Sequence, residues 1–532
     1  MLDDTRLDQK QRPLYDYIRH HSECDTVRYH VPGHIGGKLF TDSNWQALGK
    51  WDVTETYDMD DLHSPRTIIK DAEQLAAAAF GAKRTYFLVN GTSGGLLAAI
   101  HGLFQTGDTV LVQRNAHKSV YNGLMLLGLS VRYIMPEMMN SGNIAGAITA
   151  DILAKQLQTT ANVKGVIITS PTFYGHAADI EQISDICKQY NVILLVDEAH
   201  GAHYPFHPIL RARSAILQGA DVVVNSIHKT LPAFTMGSML HVSEAALDRI
   251  DTERLDYYVS LFQTTSPSYL IMSSLDYARH WMVHHGEQAL QKAFARKQLL
   301  SEQLNKLGLT VLDSLWEKHE HATDPLKITL SVRATGMNGN EWEQELAKDQ
   351  IYIELVSTDH LLLVLGLEVQ AGQIGHSREI VTEQLAMQSI EITKEDRRLL
   401  RSIGRIKALA DANSDANNDT SNARQTHSQQ AAIQQVQIEP IGNVQTVFPF
   451  SDISQEIRKC AMRQIPLEVC DGQVVAEFVV PYPPGIPILC PGERVSAEHI
   501  AYIKNAKAAN IHFQGIADKQ IQTLKCFDIK KM

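Results

Sequence analysis

The sequence predicts an α/β fold: a mainly parallel sheet with helices on both faces, joined to smaller domains. Three observations carry this. Between about residues 70 and 245, short apolar runs alternate with polar clusters and helical stretches. The runs are continuous rather than alternating, as expected for strands buried on both faces. The chain has 532 residues, too many for a single core.

The elements follow in order. "PRTIIKDAEQLAAAAFGA" (65–82) is Ala-rich and ends at Gly81, so it reads as a helix. "RTYFLV" (84–89), "TVLVQ" (109–113), "VKGVIIT" (163–169), "NVILLV" (191–196), "DVVVN" (221–225) and "SMLHV" (238–242) read as the strands. "HHGEQALQKAFARKQLLSEQLNKLG" (284–308) reads as a long helix. "KITLSVR" (327–333) and "HLLLVLGL" (360–367) read as strands, with helical "NEWEQELAKDQ" (340–350) between them. Residues 66–279 are therefore expected to form a large domain and 280–409 a small α/β domain. Residues 410–438, rich in Asn, Asp, Ser and Gln, read as a disordered linker. Residues 439–532 read as a C-terminal α+β domain, whose "VVPYPPGIPILCPGE" (479–493) marks a fixed turn.

Composition excludes several classes. The net charge of −11 argues against a general nucleic-acid or anionic-membrane binder. The six cysteines, Cys24, Cys187, Cys460, Cys470, Cys490 and Cys526, are scattered and suggest neither a disulfide framework nor a zinc ribbon. The first residues lack an apolar run of signal-peptide type, and no stretch of about 18 apolar residues occurs. A cytoplasmic setting is the expectation.

Ligands of open parallel sheets bind at the C-terminal strand edge. Five polar clusters are expected there: "NGTSGG" (90–95), "RNAHKS" (114–119), "SPTFYG" (170–175), "DEAHGAH" (197–203) and "NSIHKT" (225–230). The first, before a helix, is either a phosphate cradle or a simple N-cap. It is no Walker loop, so the DEAH tetrapeptide carries no helicase reading. His200 and His203 lack partners at metal-site spacings, and no metal is expected. Asp197 at a strand end needs a cationic partner, which a protonated pyridine nitrogen supplies. Lys229 is either a surface lysine opening a loop or an amine able to form a Schiff base. A phosphate cradle, an Asp and a Schiff-base Lys are together what pyridoxal 5′-phosphate (PLP) requires.

These stretches, with "YHVPGHIGG" (29–37), "DVTETYDMDDLHSP" (52–65) and "TTSPSYLIMSSLD" (264–276), resemble the Orn/Lys/Arg decarboxylase family, in its short bacterial branch. The resemblance implies the fold-type I PLP (aspartate aminotransferase-like) fold and α-decarboxylation of a basic amino acid. It implies that Lys229 is the Schiff-base lysine, Asp197 the partner of the pyridine nitrogen and His117 the ring stacked on the cofactor. Thr92, Ser93, Gly94 and Ser226 would hold the phosphate with help from His228, and His200 would lie near the ring. His228 or Lys229 would return a proton to Cα. Thr265 and Ser266 would reach the phosphate of a neighbouring subunit, which implies at least a homodimer. Residues 1–65 would contribute to the active site, and "PYPPGIP" would lie at its entrance. Ile35 and Ala116 depart from the family's usual residues. The wording of "HKTLPAFTMGS" and "TSPSYLIMSSLD" leans toward lysine as substrate. Glu354, Asp359 and Glu477 are acidic candidates for its cation, but solvated surface carboxylates are the plainer reading. The alternatives are another PLP reaction, such as aminotransfer, or a catalytically weak regulatory homologue.

Overall fold

The structure, a computed structural model, describes residues 8–139, 144–313, 323–367, 392–418, 445–446, 449–450, 452–453, 461–482, 484–508 and 511–528, with backbone alone for 413–418. The N-terminal part holds α1 (Pro13–Glu23), α2 (Ser43–Trp51) and α3 (Ile68–Phe80). The large domain then alternates strand and helix: β1 (Arg84–Leu88), α4 (Gly91–Leu103), β2 (Thr109–Gln113), α5 (Lys118–Leu127) and β3 (Ser130–Ile134). After two short antiparallel strands, β4 (Met138–Met139) and β5 (Ile144–Ala145), come α6 (Ala150–Thr159), β6 (Val163–Thr169), α7 (Ile180–Gln189) and β7 (Ile193–Asp197). Short α8 (Pro208–Arg211), β8 (Val222–Asn225), short α9 (Ile227–Thr230) and β9 (Ser238–Val242) complete the sheet.

The sheet order is β1-β9-β8-β7-β6-β2-β3. β2, β3, β6, β7 and β8 pair in parallel, while β9 runs antiparallel to both β8 and β1. Only β9 is reversed, so β1 points the same way as β8. Alternate residues feed two cores. Val110, Val112, Val222 and Val224 pack with Leu96, Ala99 and Ile100 of α4. Leu111, Val166, Ile168, Leu194 and Val223 pack with Leu153 of α6 and Ile183 of α7. Fully burying such a side chain contributes ~1.5–3 kcal/mol, which is why continuous apolar runs become central strands. β3 escapes the sequence reading because it is an edge strand: Ser130 and Arg132 stay partly or fully exposed along it.

After α10 (Thr252–Leu261), α11 (Tyr269–Lys306) runs through the boundary expected after residue 279. Its first half packs into the large domain through Met272, Leu275 and Ala278, its second into the small domain through Leu300 and Leu304. The junction is a continuous helix because both halves have an apolar stripe to bury. The small sheet has order β10 (Thr310–Val311), β11 (Lys327–Ser331), β13 (His360–Val364), β12 (Leu355–Val356), and all its pairs are antiparallel. α12 (Gly339–Lys348) and α13 (Lys394–Asn418) cover it. α13 continues into the stretch expected as linker, whose remaining residues, 419–438, lie outside the described ones. Extending an existing helix requires no new nucleus, and Ala408, Ala410 and Ala412 favour the helical state.

The C-terminal region has its own core around Ile465, Val479, Leu489, Ile503 and Leu524. It pairs β14 (Met462–Pro466) with β17 (Thr523–Phe527) and β15 (Val480–Tyr482) with β16 (His512–Gln514), and adds α14 (Ala497–Ala508). No helix among the described residues is long and apolar enough to cross a membrane.

One buried cation ties this region to the large sheet. Arg114, fully buried just after β2, donates to Pro487 O (2.7 Å), Ile488 O (3.1 Å) and Glu493 Oε2 (3.2 Å). Glu493 also accepts from Tyr133 Oη–H and from Cys490 N–H, each at 2.7 Å. Replacing Arg114 by Met leaves Glu493 buried without its cation. That change is expected to cost about 3–5 kcal/mol, and urea denaturation followed by fluorescence measures it. An unchanged midpoint would show that the pair does not anchor the C-terminal region.

Candidate active site

The common direction of β1, β2, β6, β7 and β8 gathers their C-terminal ends at one edge. A cavity of about 510 Å³ opens there, within the range of sites for small molecules and cofactors. Thr92, Ser93, His117, Asp197, His200, Ser226, His228 and Lys229, eight of the residues expected from sequence, line it. Gly94 lies in the same helical turn as Thr92 and Ser93 but does not line the cavity. Thr265 and Ser266 are exposed and do not line the cavity of their own chain. No described residue of the segment 1–65 lines it either.

Lys229 stands on α9, one turn beyond β8. Its Nζ lies 3.0 Å from His200 Nε2. The side chain is open to the cavity, but protein atoms crowd around it on the other sides. That crowding lowers the proton affinity of the amine, against the opposing pull of Asp197 and Glu354. Residue 229 is thus exposed, but on a short helix and toward the cavity at the strand ends. Burial also holds His200 well below the ordinary imidazole range, reinforced by the Lys229 charge. Asp197 is 2% exposed. Among the described residues its carboxylate accepts one hydrogen bond, from Ala199 N–H at 3.1 Å. Burial raises its pKa, and the Lys229 charge opposes the rise. Glu198 beside it points away from the cavity. It accepts from Ala215 N–H (2.7 Å) and Asn225 Nδ2 (3.1 Å), and burial raises its pKa to about 8.

A hydroxyl cluster occupies another side. Thr92 Oγ1 lies 2.5 Å from Ser226 Oγ and 3.1 Å from Ser238 Oγ. Asn90, the N-cap of α4, makes no side-chain capping bond and donates to Phe262 O instead. The simple N-cap reading of "NGTSGG" therefore fails. The first-turn N–H groups of α4 remain free of side-chain caps beside those hydroxyls, a setting that suits a phosphate. His228 Nδ1 lies 3.0 Å from Gly237 O, which fixes its ring.

His117 is held by Ser119, whose Oγ lies 2.7 Å from Nδ1. Gly485 of the C-terminal region sits against its other nitrogen, and a Cβ there would lie 3.0 Å from Nε2. With φ at +86°, glycine suits that loop on both counts. Lys118 N–H donates to Gly485 O (2.9 Å) and Lys118 Nζ to Gln514 Oε1 (3.0 Å). "PYPPGIP" supplies Tyr482, Pro484 and Ile486 to the cavity wall, while Pro483 lies outside the described residues.

Sequence reasoning missed other lining residues. Asn115 is held by Gln113 Nε2 (2.7 Å), and the hydroxyl of Thr169 is buried with no partner among the described residues. Asn115 sits in a cluster already marked at a strand end, while Thr169 is the last residue of β6, just before such a cluster. Gln514 carried no such mark. Of the acidic candidates, Asp359 is paired with Arg333 (2.6 Å) and Glu477 accepts from Ala517 and Lys525 N–H, each at 2.8 Å. Glu354 instead faces the cavity, the one carboxylate besides Asp197 among its lining residues.

The donor set fits PLP. Asp197 is a buried carboxylate with no cation in contact among the described residues, Lys229 is an amine of lowered pKa, and uncapped N–H groups and hydroxyls form a third corner.

Burial, with help from Lys229 and Lys118, lowers the His117 pKa from 6.5 to about 4. The unfolded chain thus binds a proton at this position between those values and the folded one does not. Stability is expected to fall as pH drops from about 6.5 to about 4. His117→Gln should flatten part of that slope in urea melts. An equal slope in the variant would place the titration elsewhere.

Residues 12–401 match the family described as Orn/Lys/Arg decarboxylase, major domain, and residues 431–527 match its C-terminal domain. The chain is 33% identical to YaaO of Bacillus subtilis over 526 residues, covering 96% of this chain and 98% of that protein. It is 30% identical to the arginine decarboxylase of Bacillus anthracis, covering 98% of each. Among solved structures, the Francisella novicida lysine decarboxylase shares the fold, with a TM-score of 0.78 at 19% identity over 97% of this chain and 81% of that one. Its mainly parallel sheet, its two-part match over most of its length and its full-length relatives converge: the chain belongs to the Orn/Lys/Arg decarboxylase family of amino-acid decarboxylases.

Proposed function

We propose that this protein uses PLP to remove the α-carboxylate of a basic amino acid, releasing CO2 and the corresponding amine. The observation that carries the reading is a single cavity holding a Lys229 amine of lowered pKa, a buried Asp197 with no contacting cation among the described residues and an uncapped helix start ringed by hydroxyls. When bound, PLP supplies an aldehyde that condenses with amines and a protonated ring that draws electrons from the bond to the carboxylate.

Each residue then has a task. Lys229 would hold the cofactor through its amine, and its lowered pKa raises the free-amine fraction. Asp197 would accept a hydrogen bond from the ring nitrogen of the cofactor and so favour its charged form. Thr92, Ser93, Gly94 and Ser226 hold the phosphate, with His228 beside them. His117, kept neutral and fixed by Ser119 and Gly485, offers a flat face for stacking. Lys229 or His228 returns a proton to Cα. Glu354, at the small-domain side of the wall, binds the distal cation of the substrate.

Thr265 and Ser266 belong to a second copy's site in this reading. Their exposure supports it, as do Tyr29, Val31, Leu39 and Tyr57, apolar side chains exposed on the N-terminal segment. Sedimentation should give a dimer or larger assembly, and a monomer at working concentration would remove this arrangement. Arginine is the first substrate to test, because full-length relatives at 29–30% identity bear the name arginine decarboxylase.

Two measurements test the reaction. Lys229→Ala is expected to abolish the yellow absorbance with PLP and its trapping by borohydride; persistence of both would refute the cofactor assignment. Holoenzyme given carboxyl-labelled arginine, lysine or ornithine should release labelled CO2 from at least one. Glu354→Gln should raise KM for that substrate about tenfold or more. No release from any of the three sinks the decarboxylase reading.

A further inference from the structure

We infer that Lys327 is a positioning residue for this site: reaching out of the small sheet, it clamps the turn that carries Phe173 and through that ring sets His200 against Lys229. The inference rests on the reading of Lys229 as the reactive amine.

Lys327 begins β11, and its side chain is only 1% exposed. Its Nζ donates to Phe173 O at 2.7 Å and to Thr172 O at 3.4 Å. Both carbonyls belong to the large domain, in the turn after β6. Among the described residues no carboxylate forms an ion pair with it. A buried ammonium satisfied by main-chain carbonyls is an expensive way to fill space, since methionine would fill it without desolvation. The charge therefore has a purpose beyond packing. Crowding lowers its pKa to about 8, so the side chain remains largely charged at neutral pH.

The contacts lead directly to the catalytic lysine. The Phe173 ring meets the His200 ring edge to face, with centroids 5.0 Å apart at 75°. His200 Nε2 lies 3.0 Å from Lys229 Nζ. Phe173 also lines the cavity. The clamp needs close approach of two backbones, and Gly175 permits it. A Cβ at Gly175 would lie 2.7 Å from the Cβ of Asp324 and 3.1 Å from the Cδ of Lys327. Asp324 N–H donates to Gly175 O at 3.0 Å and closes the same junction. In this way one domain fixes the orientation of a ring belonging to the other.

The test is reductive methylation of the full-length chain, first freed of any bound aldehyde with hydroxylamine. Formaldehyde and cyanoborohydride are the probe, and modification at each lysine is read by peptide mass spectrometry. Lys229 should react at least fivefold more slowly in Lys327→Met and in Phe173→Leu, because His200 is no longer held to it. Lys118, on the wall of the same cavity, should change by less than twofold, and Lys327→Arg should restore the Lys229 rate to within threefold. Phe173→Leu leaves the two main-chain bonds in place, so it reads the ring contact even where Lys327→Met folds poorly. Lys229 rates within twofold of the parent in both variants overturn the inference, as does a parallel slowing of Lys118. Formation of the yellow PLP band by the unmodified parent is recorded separately. Its absence counts against the cofactor reading and leaves this rate comparison intact.

Discussion

The site depends on one constraint: strands that run in the same direction end at the same edge. β1, β2, β6, β7 and β8 share a direction, and the chain places a polar cluster just past each of them. Residues more than a hundred positions apart, such as Thr92 and Ser226, thereby come within hydrogen-bond distance. The apolar runs that precede the clusters supply the rigidity. Val222, Val223 and Val224 are completely buried, and they hold β8 still beneath Lys229. Catalytic groups on such mounts are better fixed than groups on long loops.

The second determinant is the handling of buried charge. Arg114 and Glu493 satisfy each other with several further hydrogen bonds, so that pair serves as an anchor between regions. Asp197 and Lys229 are treated differently. Each is crowded by protein and has no close ionic partner among the described residues, so their proton affinities are displaced in opposite senses. A structural role would be better served by pairing them. Unpaired groups with displaced proton affinities, facing a cavity, are the pattern expected where a ligand completes the site. Lys327 stands between these cases, held by two main-chain carbonyls and by the Phe173 ring, 5.7 Å away, at a junction of two domains.

Much of this was legible in the residues themselves. All six strands expected from apolar runs in the large domain form, within a residue or two at their ends. β3 was not legible, because an edge strand carries polar residues that break the run. The start of α11 was also obscured, since helix and domain boundaries need not coincide and a helix with two apolar stretches packs into both cores. Eight of the eleven expected site residues line one cavity. Gly94, Thr265 and Ser266 do not, the last two because they lie on the outer surface of a single chain.

By itself the sequence determined the fold class, the order of the elements and the chemical character of the site. These follow from local periodicity and from residue types at strand ends, and both are properties of neighbours in the chain. Tertiary structure alone decided which carboxylate faces the cavity. Glu354, Asp359 and Glu477 are alike as residues, yet Arg333 engages Asp359, backbone N–H groups engage Glu477, and only Glu354 lines the cavity. It also decided that Gln514 and Lys118 close one wall together and that Lys327 reaches the turn under Phe173. The physical reason is the same in each case. Burial and hydrogen-bond partners depend on what packs across gaps of 26 to 396 residues, and no local pattern encodes that.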